Sequence, residues 1–146
     1  MAVTTSDLDI LQHLETQLKT ITKTNAYNND VQVVDREYNE RSYDQYPFFF
    51  INDIDDKYLH RICKNLYKKG LVIQIIGFVY SDTTTPQLGT MLQLFKDDLK
   101  KCLAADTYFN TSTKELQIIE IETDSSYVPP QASFVCNIIV IHFDNK

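Results

Sequence analysis

Residues 71–80, LVIQIIGFVY, constrain the fold more than any other segment, because they are apolar on both of the faces that a β-strand presents. Successive side chains of a strand point to opposite faces, and Gln74 is the only clearly polar one here. A strand that is apolar on both sides is typical of the interior of a sheet. The segment therefore predicts a central strand. One face would carry Leu71, Ile73, Ile75 and Val79, and the other Val72, Ile76, Phe78 and Tyr80.

Two segments have the period of amphipathic helices. Ser6 is a good N-cap for a helix over residues 7–23, and Thr85 followed by Pro86 is a good start for a second helix. Lys100 and Lys101 near the end of the second helix complement the negative pole of its dipole. The predicted apolar stripes are Leu8, Leu11, Leu14, Leu18 and Ile21 in the first helix, and Leu88, Met91, Leu92, Phe95, Leu99, Cys102 and Leu103 in the second.

The remaining segments predict further strands. Residues 48–51 are apolar at every position, which indicates an interior strand, and the acids of residues 52–56 are expected to end it. Residues 57–69 fit either one helical face or a twisted hairpin, and we favour the hairpin. Short or mixed strands are expected at 31–34, 116–122 and 133–143, with loops at 38–47, 81–85 and 125–131.

The chain of 146 residues has the usual length of one domain, so we expect a single domain over residues 1–146. The order of elements predicts an α+β fold: a mixed, mostly antiparallel sheet of four to six strands with two main helices packed on it. The second helix is able to cross over between parallel strands, which permits one parallel pair of neighbours.

Composition argues against several classes of protein. The longest apolar stretches, 71–80 and 134–143, are about half of what a helix needs to cross a bilayer, and residues 1–7 do not resemble a secretion signal. We therefore expect a cytoplasmic place of synthesis and no membrane partner. The net charge of −6 disfavours binding of nucleic acid. Cys63, Cys102 and Cys136 are far apart in the sequence and are expected to be reduced.

Residues suited to catalysis are few. His13, His60 and His142 have no acidic or cysteine partner at a motif spacing, and Cys63 with His60 is the best nucleophile pair on offer. The side chains of His60 and Cys63, three residues apart, face the same side of their segment only if that segment is helical. Three glycines do not supply a phosphate-binding loop, and closely spaced zinc ligands are absent. We expect no enzyme activity, no metal and no cofactor.

Two surface features indicate contacts with other molecules instead. Asp53, Asp55 and Asp56 run directly into basic residues that begin with Lys57, Arg61 and Lys64. This pattern is either a solvated hairpin or a charged contact that sets the register between neighbouring subunits of a ring. The second feature is a polar loop with three tyrosines, a residue type enriched at interfaces, although an ordinary ordered loop has the same composition. Its tyrosines are Tyr38, Tyr43 and Tyr46.

Several segments of the sequence resemble the tail terminator (tail completion) family of tailed bacteriophages. The similarity covers nearly the whole chain, and the sequence departs from the family in a Tyr- and Asn-rich insertion before Pro47 and in extra lysines after Asp56. The segments are DLDILQHLETQLK, YPFFFINDIDD, LVIQIIGFVYSD, LGTMLQLFKDDLKKCLAAD, LQIIEIETDSSYVPP and ASFVCNIIVIHF.

The resemblance implies a virion protein, assembled in the host cytoplasm, that forms a hexameric ring on the head-proximal end of the tail tube. Its partners would be further copies of itself, the tube protein, and the sheath and neck proteins, with DNA only as passing cargo. In such a ring Asp53, Asp55 and Asp56 are expected to approach the channel, where their charge would let DNA pass without adhering. Two alternatives stay open: a neck or head-to-tail connector subunit, and a small enzyme or ligand-binding domain that uses His60 and Cys63.

Overall fold

The computed structural model describes residues 7–31, 33–36, 45–63, 66–80, 88–105, 114–123 and 131–145, and within them only the backbone at 7, 53–63, 66–69, 114–115, 123 and 143–145. A short 3-10 helix at Lys23–Asn25 follows the first α-helix. The elements in chain order are α1 (Asp7–Leu18), β1 (Val33–Asp35), β2 (Phe48–Cys63), β3 (Leu66–Tyr80), α2 (Leu88–Ala105), β4 (Lys114–Thr123) and β5 (Gln131–Asn145).

The described strands form one five-stranded sheet in the order β1-β2-β3-β5-β4. β1 pairs with β2 in parallel, and the other three pairings are antiparallel. The α+β prediction of a mixed, mostly antiparallel sheet with two helices is confirmed, and β3 is the central strand as predicted. β3 and β4 run in the same direction on either side of α2, but β5 lies between them. The parallel neighbours are therefore β1 and β2, not the two strands that α2 connects.

Both helices pack on the same face of the sheet: α2 contacts β3 and β5, and α1 contacts β1, β2 and α2. Burial on β3 alternates as the sequence predicts, with Leu71, Ile73, Ile75 and Val79 buried on the helix side. Three phenylalanine rings meet there above Gly77: Phe49 stacks on Phe95 at 4.4 Å, and Phe95 meets Phe134 edge-on at 5.7 Å. A side chain at residue 77 would occupy the space of these rings.

Helix α1 is shorter than predicted and has a different apolar face. It ends at Leu18 rather than near residue 23, because the amide groups of Thr20 and Ile21 bond to carbonyls three residues earlier and tighten the turn. Leu8 was expected in the stripe but is 49% exposed, and Ile10 takes a place in the core. The stripe therefore runs through residues 10, 11, 14 and 18, with Ile21 buried just beyond the helix.

Strand β2 is longer than predicted. The acids of residues 52–56 do not end it, because the backbone continues in register with β3 as far as the pair Cys63 and Leu66. The predicted hairpin at 57–69 is confirmed as the far end of this β2–β3 pair. Pairing with a long apolar strand outweighs the low strand propensity of aspartate. The ladder is interrupted by register shifts between Asp53 and Asp55, between Tyr58 and His60, and between Arg61 and Cys63.

The other boundaries differ by a few residues from the predictions. The short first strand covers Val33–Asp35 instead of 31–34, and β4 and β5 extend beyond 116–122 and 133–143 at both ends. The predicted start of α2 at Thr85 and Pro86 lies outside the described residues, as do most of the 38–47 loop and of the 125–131 loop. Every residue predicted for the α2 stripe is buried except Met91, which is half-buried.

Candidate interaction surface

The face of the sheet opposite the helices is mainly apolar but only partly buried among the described residues. Neither described helix contacts it, yet most of its side chains on β3 and β5 are apolar and only half-buried. The side chains on a sheet face that is exposed to water are normally polar. An apolar composition is therefore typical of a face that another segment or another molecule covers. We call it the bare face. Its members on β3 and β5 are Val72, Gln74, Ile76, Phe78, Tyr80, Gln131, Ser133, Val135, Asn137, Ile139 and Ile141.

A single polar row crosses the bare face. Asn52, Gln74, Asn137 and Glu120 occupy consecutive register positions on β2, β3, β5 and β4. Asn137 Nδ2 donates a hydrogen bond of 2.9 Å to Glu120 Oε1, whereas Asn137 Oδ1 is buried and accepts no hydrogen bond from the described residues. A buried acceptor without a donor costs about 1–3 kcal/mol, so this row lowers the stability of the sheet locally.

An aromatic cluster closes one end of the bare face and contains Tyr46, one of the predicted interface residues. The Tyr46 ring meets Phe48 edge-on at 5.0 Å and lies 5.5 Å from Tyr80, and Gln131 Nε2 donates a 2.9 Å hydrogen bond to the Tyr46 hydroxyl. Phe48 stacks in turn on Phe78 at 4.8 Å and is only 1% exposed. Tyr46 is therefore a half-buried part of the fold that covers Phe48.

The charged residues predicted as a ring contact lie on β2, where the structure gives their register. Asp53 and Asp56 pair with Ile73 and Leu71, which belong to the helix-covered face, while Asp55 pairs with Val72 on the bare face. The three acids therefore do not share one register face. Lys57 and Arg61 pair with Gly70 and Tyr67 farther along the same hairpin. Lys64, Tyr38 and Tyr43 lie outside the described residues.

Strand β4 presents a second apolar feature at the edge of the sheet. Ile118 is 41% exposed and Ile119 is 56% exposed, and the register with β5 shifts between Ile118 and Glu120. Such a shift is a β-bulge, which re-aims the extra side chain. Two adjacent isoleucines interrupt the alternation of LQIIEIE, and this interruption is the sequence signal that sequence reasoning missed.

A buried carboxylate, also missed, holds the turn after α1 against α2. Asp98 is 1% exposed; its Oδ1 accepts hydrogen bonds from Asn28 N at 2.9 Å and Asn28 Nδ2 at 3.0 Å, and its Oδ2 accepts one from Asn29 Nδ2 at 2.9 Å. Lys101 Nζ donates to the carbonyl of Ala26 at 2.7 Å, instead of serving the helix dipole alone as predicted. We call this set of contacts the Asp98 clamp.

The clamp has a titratable neighbour in Tyr27. Lys101 Nζ lies 4.7 Å from the centre of the Tyr27 ring. Partial burial raises the pKa of Tyr27 from 10.0 to about 12, with smaller contributions from a hydrogen bond and charge interaction with Cys102 and from the charge of Asp98. Cys102 is itself occupied, since its Sγ donates to the carbonyl of Gln17 at 3.3 Å. These contacts join α1, the turn after it and α2.

The residues predicted as possible catalytic groups lie on three different elements. His60 and Cys63 lie on β2 rather than on a helix, and the register shift between Arg61 and Cys63 sets them opposite Lys68 and Leu66, alternate residues of β3. His142 is buried on β5, and His13 is half-buried on α1. Burial raises the pKa of the Cys136 thiol from 9.0 to about 12, partly offset by the charge of Lys100, so this sulfur stays protonated and is a poor nucleophile near neutral pH.

No cluster of three or more metal-ligating side chains occurs among the described residues. In the same part of the chain, neither helix has the length and apolar character needed to span a membrane. The described residues form a two-layer α+β fold in which one face of the sheet is mainly apolar and only partly buried. No known protein family matches the sequence, and no curated protein matches it either.

Proposed function

We propose that the chain is a structural virion subunit of the tail-terminator kind, which assembles into a hexameric ring, caps the head-proximal end of a phage tail tube and joins it to the neck. The observation that carries the proposal is the bare face, a surface of half-buried and mainly apolar side chains on β3 and β5 that one polar row crosses. An apolar face of this kind favours a partner protein over a small substrate. The sequence segments that resemble the terminator family supply the identity of that partner.

The proposed mechanism is binding alone. Head-to-tail contacts that close by rotation join the copies into a ring, one side of the ring takes a tube-subunit contact, and the other side meets the neck without offering a site for further tube subunits. The tube protein would lie on the bare face, with the sheath and neck proteins as further partners.

DNA would pass through such a ring only as cargo. Asp53, Asp55 and Asp56 lie on the β2–β3 hairpin, and in the proposal this hairpin reaches the channel, where negative charge repels the DNA backbone. An experimental structure of the ring tests this part separately. The acids are expected along the inner wall, and their placement on the outer rim would remove the channel role without affecting the capping role.

The test of capping uses electron microscopy of tail tubes grown with and without the purified protein. Rings of the protein alone and tubes of limited length with one decorated end are the expected results. The informative variant is Ile139→Lys, which places a charge on the half-buried bare face, and its control is Leu94→Lys at a position on α2 that is 40% exposed. Circular dichroism establishes that both variants are folded.

The expected result is that Ile139→Lys no longer limits tube length while Leu94→Lys limits it as the unmodified protein does. Tubes that grow to the same length with and without the unmodified protein would refute the capping function. Equal capping by the two variants would show that the bare face is not the contact surface.

A further inference from the structure

We infer that two copies of the free protein pair bare face to bare face, about a two-fold axis that runs parallel to the strands and lies between β3 and β5. The inference goes beyond ring formation and capping, because it names a second copy of this chain as the occupant of the bare face when no other partner is bound there. It does not depend on the tail-tube assignment. A tube subunit that binds the same face would displace the second copy.

The register of β3 and β5 makes the apolar part of the bare face complementary to itself. Rotation about the proposed axis exchanges β3 with β5, so each β3 residue faces, in the other copy, the β5 residue with which it pairs in its own sheet. Val72 therefore faces Ile139, and Ile76 faces Val135. All four side chains are half-buried in the single copy. Two aligned sheets pack about 10 Å apart when apolar side chains interdigitate between them in this way.

The polar row of the bare face is complementary to itself about the same axis. In the order β2-β3-β5-β4 the row reads Asn52, Gln74, Asn137 and Glu120, and the rotation reverses this order in the other copy. Gln74 then faces Asn137, and both side-chain amides are able to donate and to accept hydrogen bonds. Asn52 faces Glu120, which sets an amide donor opposite a carboxylate. The row therefore meets polar groups rather than apolar ones when the face is covered, as buried polar groups require.

The outer strands continue this complementarity at the next two levels of the sheet. Through the pairings with β3 and β5, Asp55 on β2 is level with Gln117 on β4, and Lys57 is level with Glu115. The axis brings β2 of one copy to β4 of the other, so an acidic residue reaches the level of an amide and a basic residue that of an acid. A two-fold axis across the strands would instead set Glu120 opposite itself, and like charges in a contact are unfavourable.

The area of the bare face is sufficient for a specific contact. Four strands spaced by about 4.8 Å, with β3 extending about 30 Å from Gly70 to Phe78, give a footprint of about 570 Å² on each copy, or about 1,100 Å² in total. A specific interface buries at least about 1,000 Å². Glu122, which is level with Phe50, is exposed at the rim of this area, where its carboxylate keeps its contact with water.

Analytical ultracentrifugation of the full chain over a range of concentrations tests the pairing. Ile139→Lys puts a charge into the apolar part of the contact and should halve the mass of the assembly, whether single chains or rings are paired. The control Leu94→Lys, at an exposed position on α2, should leave the mass unchanged. A monomer at every concentration would overturn the inference, and so would equal masses for the two variants.

An exchange of charge at two exposed positions keeps the test decisive if Ile139→Lys does not fold. Asn52→Glu sets like charges against Glu120 of the other copy and should weaken the pairing by at least about tenfold. Adding Glu120→Lys to the same chain should restore it. Within one chain these two positions are three strand spacings apart, about 14 Å, which exceeds the Debye length of about 8 Å at physiological salt. The restoration therefore has to come from the other copy.

The matched control is Thr90→Glu at an exposed position on α2, which changes the net charge as Asn52→Glu does and should leave the pairing unchanged. Failure of Glu120→Lys to restore the pairing would refute the two-fold arrangement, and so would equal weakening by Thr90→Glu. Sedimentation reports the pairing and tube length reports the capping, so either proposal is able to fail without the other.

Discussion

The two faces of the central strand both carry mainly apolar side chains but differ in how completely the protein covers them. On the helix side, Leu71, Ile73 and Ile75 are at most 1% exposed, whereas Val72 and Ile76 on the bare face are only half-buried. An apolar pattern on both faces of a strand predicts that both faces are covered, but it does not identify what covers them. In this protein the two helices cover one face, and the other is the surface on which the proposed function rests.

The largest expected effect comes from truncating the aromatic core on the helix side. Phe134→Ala removes a fully buried ring that contacts Phe95 and Phe49, and should lower the free energy of unfolding by about 3–5 kcal/mol. Ile139→Ala on the neighbouring bare face should cost only about 1–2 kcal/mol, because its side chain is already partly exposed to water. Urea denaturation measures both. Equal losses would mean that the bare face is as fully packed as the helix side.

The next largest effect is expected at the Asp98 clamp, which fixes the helix layer. Asp98→Ala removes the acceptor of three hydrogen bonds and leaves the side-chain amides of Asn28 and Asn29 without it, so we expect a loss of about 2–4 kcal/mol. Asp98→Asn keeps one acceptor oxygen in place and should lose less. Thermal unfolding of the two variants checks the order, and an Asp98→Ala protein as stable as the unmodified one would contradict the structural role of the clamp.

Gly77 provides a test of how tightly the helix-covered face is packed. A Cβ at residue 77 would lie 2.6 Å from Phe134 Cζ and 3.0 Å from Phe95 Cε2, so Gly77→Ala should overpack the core and cost about 1–3 kcal/mol. Gly89→Ala is the matched control, since nothing lies within 4 Å of the added methyl group in α2. This control should stabilise the protein by up to about 1 kcal/mol. A neutral Gly77→Ala would show that the three rings adjust at little cost.

The sheet and its covered face were largely predictable, because they follow from local periodicity. The alternation in residues 71–80 predicted a central strand, and the stripe of α2 predicted its buried side with Met91 as the single half-buried member. The end of β2 was not predictable from the acids of residues 52–56. Partner strands decide where a strand ends, and β3 continues alongside β2 beyond those acids as far as Leu66.

The candidate surface was less predictable, because it depends on contacts between distant segments. The clamp joins Asn28 and Asn29 to Asp98 across some seventy residues, and no local pattern encodes such a pairing. Tyr46 was expected to be an interface residue of a polar loop, whereas its hydrogen bond from Gln131 holds it in the fold. The paired isoleucines of β4 did leave a local signal, since Ile118 and Ile119 break the alternation of their strand.

The smallest expected effect is on the pH dependence of stability, through a group on the helix-covered face. The pKa of Cys136 is raised from 9.0 to about 12 by burial, so the folded state keeps the proton while the unfolded chain loses it. The stability this group contributes is complete below pH 9 and is lost as the pH rises toward 12, with a slope of at most about 1.4 kcal/mol per pH unit. Denaturation at pH 8 to 11 should therefore show a steeper decline for the unmodified protein than for Cys136→Ala.

Tyr27 provides the partly exposed counterpart to Cys136. Its pKa is also raised to about 12, from 10.0, so its contribution has the same sign but begins one pH unit higher and is reduced by solvent. Tyr27→Phe should flatten the alkaline decline less than Cys136→Ala does, and only above pH 10. If the two substitutions flatten the alkaline decline in stability equally, the Tyr27 ring is as fully shielded from water as Cys136. The turn after α1 would then belong to the same buried layer as Cys136.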